Sequence, residues 1–248
     1  RKTIIMNTKK KIDYISNWIK DYSINNNVDS LVIGISGGID SAVTSTLSAK
    51  TGLKTFVVSM PILDHQILNE RGESHIKWLE KNFDNVKKVH VNLSEVFKSF
   101  QNALSNNNSE HGYANSQARL RMTTLYQIAA TNNGIVVGTG NKVEDFGIGF
   151  YTKYGDGGVD ISPIADCLKT EVWDMGKQLN INEEIIKAPP TDGLWNDGRT
   201  DEDQVGLSYE QIEEAMLNEN SPNRKKYLEI RSKSTHKMVP IPVCVLPR

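Results

Sequence analysis

The apolar run Leu31-Val-Ile-Gly-Ile35 is followed at once by Ser36-Gly37-Gly38, and then by a segment that reads as a helix stopping before Gly52. A short, β-branched, nearly all-apolar run fits a strand buried on both faces, and such strands belong to parallel sheets. The helix after it would bury Ile39, Ala42, Val43 and Leu47. Strand, glycine turn and helix in direct succession make a phosphate site. Glycines let the backbone approach a ligand, the first N–H groups of the helix point outward, and the helix dipole favours negative charge. Spacing excludes the two commonest phosphate loops: no Lys follows Gly38, so G-x-x-x-x-G-K-[ST] is absent, and Gly34, Gly37 and Gly38 do not fit G-x-G-x-x-G. From this loop alone, a ligand-free turn capped by Asp40 and Ser41 stays open.

The rest of the chain alternates in the same way. A helix is expected near 9–22, strands at 55–60, 88–91 and 135–138, and helices near 73–82 and 115–132. Asn92 and Glu95 form a candidate capping box for a helix carrying Val96, Phe97, Phe100 and Leu104, and Ser208 with Gln211 form another. The pattern predicts an α/β fold, a doubly wound Rossmann-like parallel sheet with helices on both faces and ligand sites at the C-terminal strand ends. At the end of the fourth strand stands a second glycine-rich loop, Gly138-Thr139-Gly140-Asn141-Lys142-Val143-Glu144-Asp145. Then comes Phe150-Tyr-Thr-Lys-Tyr-Gly-Asp-Gly-Gly-Val-Asp-Ile-Ser-Pro163, too dense in Gly, Asp and aromatics for a plain connector.

At 248 residues and 38% hydrophobic content the chain can bury one substantial core, so a single domain over 1–248 is expected. A net charge of −1 argues against a generic nucleic-acid or membrane-surface binder, although Arg224, Lys225, Lys226, Arg231, Lys233 and Lys237 crowd one end. No apolar run reaches membrane-spanning length. Cys167 and Cys244 have neither a metal-ligand spacing nor a disulfide framework, which suits inert packing in a reducing, cytoplasmic compartment.

Ser36-Gly-Gly-Ile-Asp-Ser41 resembles the S-G-G-x-D-S loop of the N-type ATP pyrophosphatases, which cleave ATP between its α and β phosphates and pass AMP to an acceptor. The loops at 138–144 and 150–160 narrow the resemblance to the NAD synthetases, which carry G-T-G-N-K-x-E and F-x-T-K-Y-G-D-G-G-x-D in this order. It runs from Ser36 to Pro242. The resemblance implies that Gly34, Ile35, Ser36, Gly37, Gly38, Ile39, Asp40 and Ser41, with Thr139, Lys169 and Thr191, contact ATP, and that Asp40 and Glu144 bind Mg²⁺. It places Arg119, Lys153, Asp160, His236 and Lys237 on deamido-NAD. The segment Pro190-Thr191-Asp-Gly-Leu-Trp195 with Thr200-Asp-Glu202 resembles a mobile loop closing over ATP. It also implies a homodimer with deamido-NAD across the subunit interface and, since no glutaminase domain is expected, free ammonia as nitrogen donor.

Elementary chemistry agrees with these expectations. ATP and deamido-NAD are both polyanions, so cations and amide nests must bring them together, and a carboxylate beside phosphates is repelled unless a cation lies between them. The expected catalytic residues are Asp40, Glu144, Lys169 and Asp156. Asp156, with Asp160, stands where an ammonium ion could be attracted and lose a proton; a turn-forming Asp between Gly155 and Gly157 fits position 156 equally well. On the helix at 115–132, Ala118, Met122, Leu125, Ile128 and Ala129 form a stripe that suits core or interface. Three rivals stay open: a GMP synthase-like enzyme, a tRNA-thiolating enzyme, and a non-catalytic ATP-binding module.

Overall fold

A computed structural model of the chain describes residues 6–62, 66–191 and 200–247. Helix α1 (Thr8–Asn25) leads to strand β1 (Ser30–Gly34), helix α2 (Ile39–Lys50) and strand β2 (Lys54–Ser59). Helix α3 (Gln66–Asn82), strand β3 (Val86–His90), helices α4 (Ser94–Ala103) and α5 (Glu110–Thr131) and strand β4 (Gly134–Val136) follow. Among the described residues the sheet is four-stranded and parallel throughout, in the order β3-β2-β1-β4. The chain therefore walks outward from β1 to β3 and returns to the far side of β1. That reversal brings the C-terminal ends of β1 and β4 side by side, with Val32 level with Val136.

Strand β1 is apolar throughout because it has no solvent face. Leu31 and Ile33 pack into a core with α1, α2 and later helices, while Val32 between them faces the opposite core of Phe56, Val58, Phe97 and α5. Helix α2 buries Ile39, Ala42, Val43 and Leu47 as expected, but it buries its hydroxyl residues too. Ser45 and Thr46 donate to Ala42 O, and Ser48 donates to Thr44 O, at 2.7–3.1 Å. Such bonds to the preceding turn let a Ser- and Thr-rich helix sit inside the protein without stranding its hydroxyls.

Two local features depart from the sequence pattern. Helix α3 begins at 66 rather than 73, running through Gly72, whose bare backbone lies against the phosphate loop: a Cβ there would meet Gly37 N at 3.6 Å. Helix α4 has Leu93 as its N-cap, with Asn92 accepting only from Ser94 N at 3.0 Å; Phe97 is buried while Val96 and Phe100 are exposed. Most of the α5 stripe is core, with Ala118 and Ala129 buried and Leu125 and Ile128 packed in the cluster that holds Val32 of β1 and Val136 of β4, while Met122 lines the cleft described below.

Beyond β4 the chain forms a π-helical turn (Lys142–Ile148) and helices α6 (Lys169–Gln178), α7 (Glu183–Ile186), α8 (Asp201–Val205), α9 (Tyr209–Leu217), α10 (Arg224–Ser232) and α11 (Thr235–Met238). Ser208 and Gln211 cap α9 reciprocally, as read from the sequence. The π-helical turn packs through Val143 and Ile148 on a small core of Leu207, Tyr209, Ile212 and Tyr227. No described helix is long and apolar enough to cross a membrane.

Candidate active site

The glycine loop after β1 is already folded by its own hydroxyls. Ser41 Oγ accepts from Ser36 N at 3.3 Å and from Ser36 Oγ at 3.1 Å, and it donates to Gly38 O at 2.9 Å. Gly37 has φ +83°, and a Cβ there would stand 2.4 Å from Leu68 O, so only glycine lets α3 close on the loop. Gly38 is the N-cap of α2 and brings no side-chain acceptor, leaving the first-turn N–H groups to a ligand.

The loop after β4 is tied to this one by a buried side chain. Asn141 Oδ1 accepts from Val143 N and Glu144 N at 3.0 and 3.1 Å, capping the π-helical turn, while its Nδ2 donates to Asp40 Oδ1 at 3.0 Å. Asp40 lies in the first turn of α2 and Glu144 in the first turn of the π-helical segment, where the backbone dipoles favour a carboxylate. Between them sits Lys169, at the start of α6: its Nζ donates to Asp40 Oδ2 at 2.6 Å and to Glu144 Oε1 at 2.8 Å. Helix α6 is held at this end by Glu171 Oε2 accepting from Leu168 N and by Glu213 accepting from Thr170 N and Oγ1.

Burial alone would lower the Lys169 pKa, but the two carboxylates more than offset it and hold the ammonium charged. One ammonium cannot fully compensate two carboxylates. Burial, reinforced by Glu144, leaves Asp40 above the usual carboxylate range. Glu144 falls below that range despite burial, because Lys169 and the Tyr209 hydroxyl both bond to it. Tyr209 Oη lies 2.6 Å from Glu144 Oε1 and 2.9 Å from Asp201 Oδ2, and its ring lies 4.8 Å from Lys169 Nζ. Burial and the neighbouring carboxylates keep this phenol protonated, hence a donor.

A cleft of about 560 Å³ opens over these groups, and residues of α5 and Lys237 are also part of its lining. Gly34, Ile35, Ser36, Gly38, Ile39, Asp40, Ser41, Thr139, Glu144, Asp156, Lys169, Thr191 and Lys237 all line it, so residues read from distant motifs converge. Gly37 does not; its role is the turn. Arg119, Lys153, Asp160 and His236 lie outside the lining. Arg119 Nε donates to Lys153 O at 3.3 Å, and Asp160 accepts from Val136 N at 2.7 Å and from Tyr126 Oη at 3.1 Å. Asp156 Oδ1 accepts from Thr152 N at 2.9 Å, a turn-forming bond, while its side chain reaches the cleft, where surrounding protein raises its pKa to about 6.

Sequence reasoning missed Asn141, Tyr209 and Arg121. Arg121, two positions from Arg119, is the α5 arginine that lines the cleft, with Nε donating to Met60 O at 3.2 Å; burial lowers its pKa to about 10, still charged at neutral pH. Asn141 had a signal, since Asn directly before a short polar run is a favoured N-cap. Tyr209 had none beyond its place after the Ser208 cap. Cys167 is buried, and burial pushes its thiol up to about 11, in keeping with inert packing. Residues 192–195 of the expected ATP-covering loop lie outside the described residues.

A parallel sheet with a glycine loop at its switch point, an acid–base–acid cluster beneath and basic side chains along a deep cleft defines a nucleotide-dependent α/β enzyme. Comparison with known proteins gives the family. The NAD synthase family matches residues 11–240. The NH(3)-dependent NAD(+) synthetase of Carboxydothermus hydrogenoformans is 37% identical over 239 residues, covering 94% of this chain and 96% of that protein. Among solved structures, NMN synthetase from Francisella tularensis superposes with a TM-score of 0.88 at 31% identity, over 98% of this chain and 99% of that one. NH3-dependent NAD synthetase from Campylobacter jejuni gives 0.77 at 26% identity, over 97% and 100%. The chain belongs to the NAD synthase family.

Proposed function

We propose that this chain amidates deamido-NAD to NAD with ATP and ammonia. The carrying observation is the Asp40–Lys169–Glu144 cluster directly beneath the glycine loop, in a chain whose family and curated relatives carry that activity by name. The nicotinate carboxylate attacks the α-phosphorus of ATP and pyrophosphate leaves, giving an acyl-adenylate; ammonia then attacks the acyl carbon and AMP leaves. The loop amides and the Ser36 and Ser41 hydroxyls hold the departing pyrophosphate. Thr139 and Thr191, which also line the cleft, contact ATP. Lys169 stabilises charge that grows in the transition state, an effect strongest in a water-poor site. Asp156, ionised above about pH 6, attracts ammonium and accepts its proton.

Mg²⁺ fits the donor chemistry. Asp40 and Glu144 supply hard oxygens already converging on one cation, and nucleotide phosphates supply more; no three described His, Cys, Asp or Glu side chains form a metal cluster, and Mg²⁺ with nucleotide needs fewer. When bound, the ion neutralises charge on the α-phosphate and pyrophosphate. Arg119, Lys153, Asp160, His236 and Lys237 serve deamido-NAD. Arg119, Asp160 and His236 stand exposed beyond the cleft, as residues reaching a substrate shared across a homodimer interface would. A cytoplasmic setting suits the two free thiols.

A second reading changes only the substrate's length. Amidation of the mononucleotide rather than the dinucleotide is favoured by the superposition on an NMN synthetase, 0.88 against 0.77. One assay separates these: pyrophosphate release from ATP with ammonium and either deamido-NAD or deamido-NMN. Release that depends on the dinucleotide supports the proposal, a preference for the mononucleotide supports the second reading, and release with neither overturns both.

A further inference from the structure

The amidation chemistry leaves Tyr209 without a part, yet this buried phenol touches both Glu144 and Lys169 of the charged cluster. We propose that the Tyr209 hydroxyl is a positioning group for the reaction: it fixes the Glu144 carboxylate, so that Glu144 meets the nucleotide in one orientation. This builds on the role given to Glu144 above.

A carboxylate on one side-chain bond can swing about its terminal torsion, which is broad and shallow. Glu144 Oε1 receives two donors, Lys169 Nζ at 2.8 Å and Tyr209 Oη at 2.6 Å, and two donors on one oxygen set the direction of the other. The phenol itself is rigidly held. Tyr209 is 2% exposed, its ring meets Trp173 edge-on at 5.8 Å, and its backbone N–H donates to Glu202 Oε1 at 3.2 Å. Across the ring, Lys169 Nζ lies 4.8 Å from the centroid, so one aromatic group touches both the acid and the base of the cluster.

The hydroxyl carries one proton but stands between two carboxylates, Glu144 and Asp201. Asp201 in turn donates its backbone N–H to Pro190 O at 3.0 Å. A hydrophobic ring alone would fill this space equally well. What the hydroxyl adds to the ring is its polar contacts with Glu144 and Asp201, of which the one to Glu144 reaches the charged cluster.

Tyr209→Phe keeps the ring, its packing on Trp173 and its face toward Lys169, and removes only the donor. Losing a hydrogen bond to a charged group should reduce kcat on the order of tenfold or more. The KM for deamido-NAD, whose contacts lie elsewhere, should stay within about twofold. In a Glu144→Gln background the same change should cost less than about twofold, because the hydroxyl acts through the carboxylate already removed. Full additivity in that background, near-wild-type kcat for Tyr209→Phe, or a change confined to KM for deamido-NAD would each overturn the proposal. So would a variant that no longer folds by circular dichroism, which would assign the hydroxyl to stability instead. Near-wild-type rates in Glu144→Gln alone would remove the Glu144 role itself and this proposal with it, an outcome distinct from failure at Tyr209 alone.

Discussion

The Asn141 side-chain amide donates to Asp40 Oδ1 at 3.0 Å, joining two loops whose residues stand 101 positions apart. The same side chain caps the turn that carries Glu144, so it sets the spacing of both acids. Asn141→Ala removes a cap and a bond to a buried carboxylate, and should cost about 1–3 kcal/mol of stability with at least a tenfold fall in kcat. Urea denaturation and steady-state rates check both; a variant that loses stability but keeps full kcat would confine Asn141 to folding.

Asp40→Asn and Glu144→Gln should each keep the fold and cost on the order of 2–4 kcal/mol of transition-state stabilisation. The two losses should be strongly non-additive, since both acids serve one cationic centre. A double-mutant cycle on ATP–pyrophosphate exchange with deamido-NAD measures this, and simple additivity would separate the two acids.

Lys169→Met leaves two carboxylates facing each other without their ammonium. Breaking such a pair should cost roughly 3 kcal/mol, less where water reaches the site. If Asp40 and Glu144 form the Mg²⁺ site, millimolar Mg²⁺ should recover part of the lost thermal midpoint in this variant and none in Lys169→Met combined with Glu144→Gln. Differential scanning fluorimetry reads both.

His75 is 1% exposed, bonds through Nε2 to Ser45 Oγ at 3.0 Å, and is held neutral by burial, its pKa lowered to about 4. The unfolded chain takes up the proton first as pH falls, so stability is complete above about 6.5 and is lost as pH drops toward 4, by roughly 3 kcal/mol. His75→Gln should flatten this part of the urea-midpoint curve; an equally steep fall in the variant would assign the acid sensitivity to other groups.

Asp156 has the opposite sign, since its folded carboxyl is raised to about 6. As base for ammonium it works only when ionised, so kcat should rise through about pH 6, and this limb should vanish in Asp156→Asn. A turn-forming role through Thr152 N alone predicts lower stability with an unchanged pH profile.

What the sequence showed clearly was what is local. The strand, turn and helix at 31–50 and the helix cap at Ser208 depend on neighbours within a few positions, and they stand where the pattern puts them. The convergence of Asp40 and Glu144 followed from the doubly wound topology, because the strands before them end side by side. Lys169 filling the space between them did not follow, since a salt bridge across 129 positions leaves no periodic trace. That Arg121 lines the cleft while Arg119 lies outside it turns on rotation about the α5 axis, set by packing against Met60 and the 150–160 loop. The helix expected near 73–82 begins at 66 and takes in Gly72, whose close approach to the phosphate loop overrides the low helix preference of glycine.

The charged cluster draws on residues 40, 141, 144, 169 and 209, so no contiguous stretch of the chain contains it. During folding, loops of 101 and 129 positions must close before Lys169 and Asn141 can reach Asp40, and contacts of such long range form slowly. Until they close, burying any one of these charges is uphill, so the growing core excludes them until all arrive together. Nucleotide affinity in this chain is accordingly an all-or-none report on completed folding, and refolding followed by ligand binding should lag refolding followed by far-ultraviolet circular dichroism.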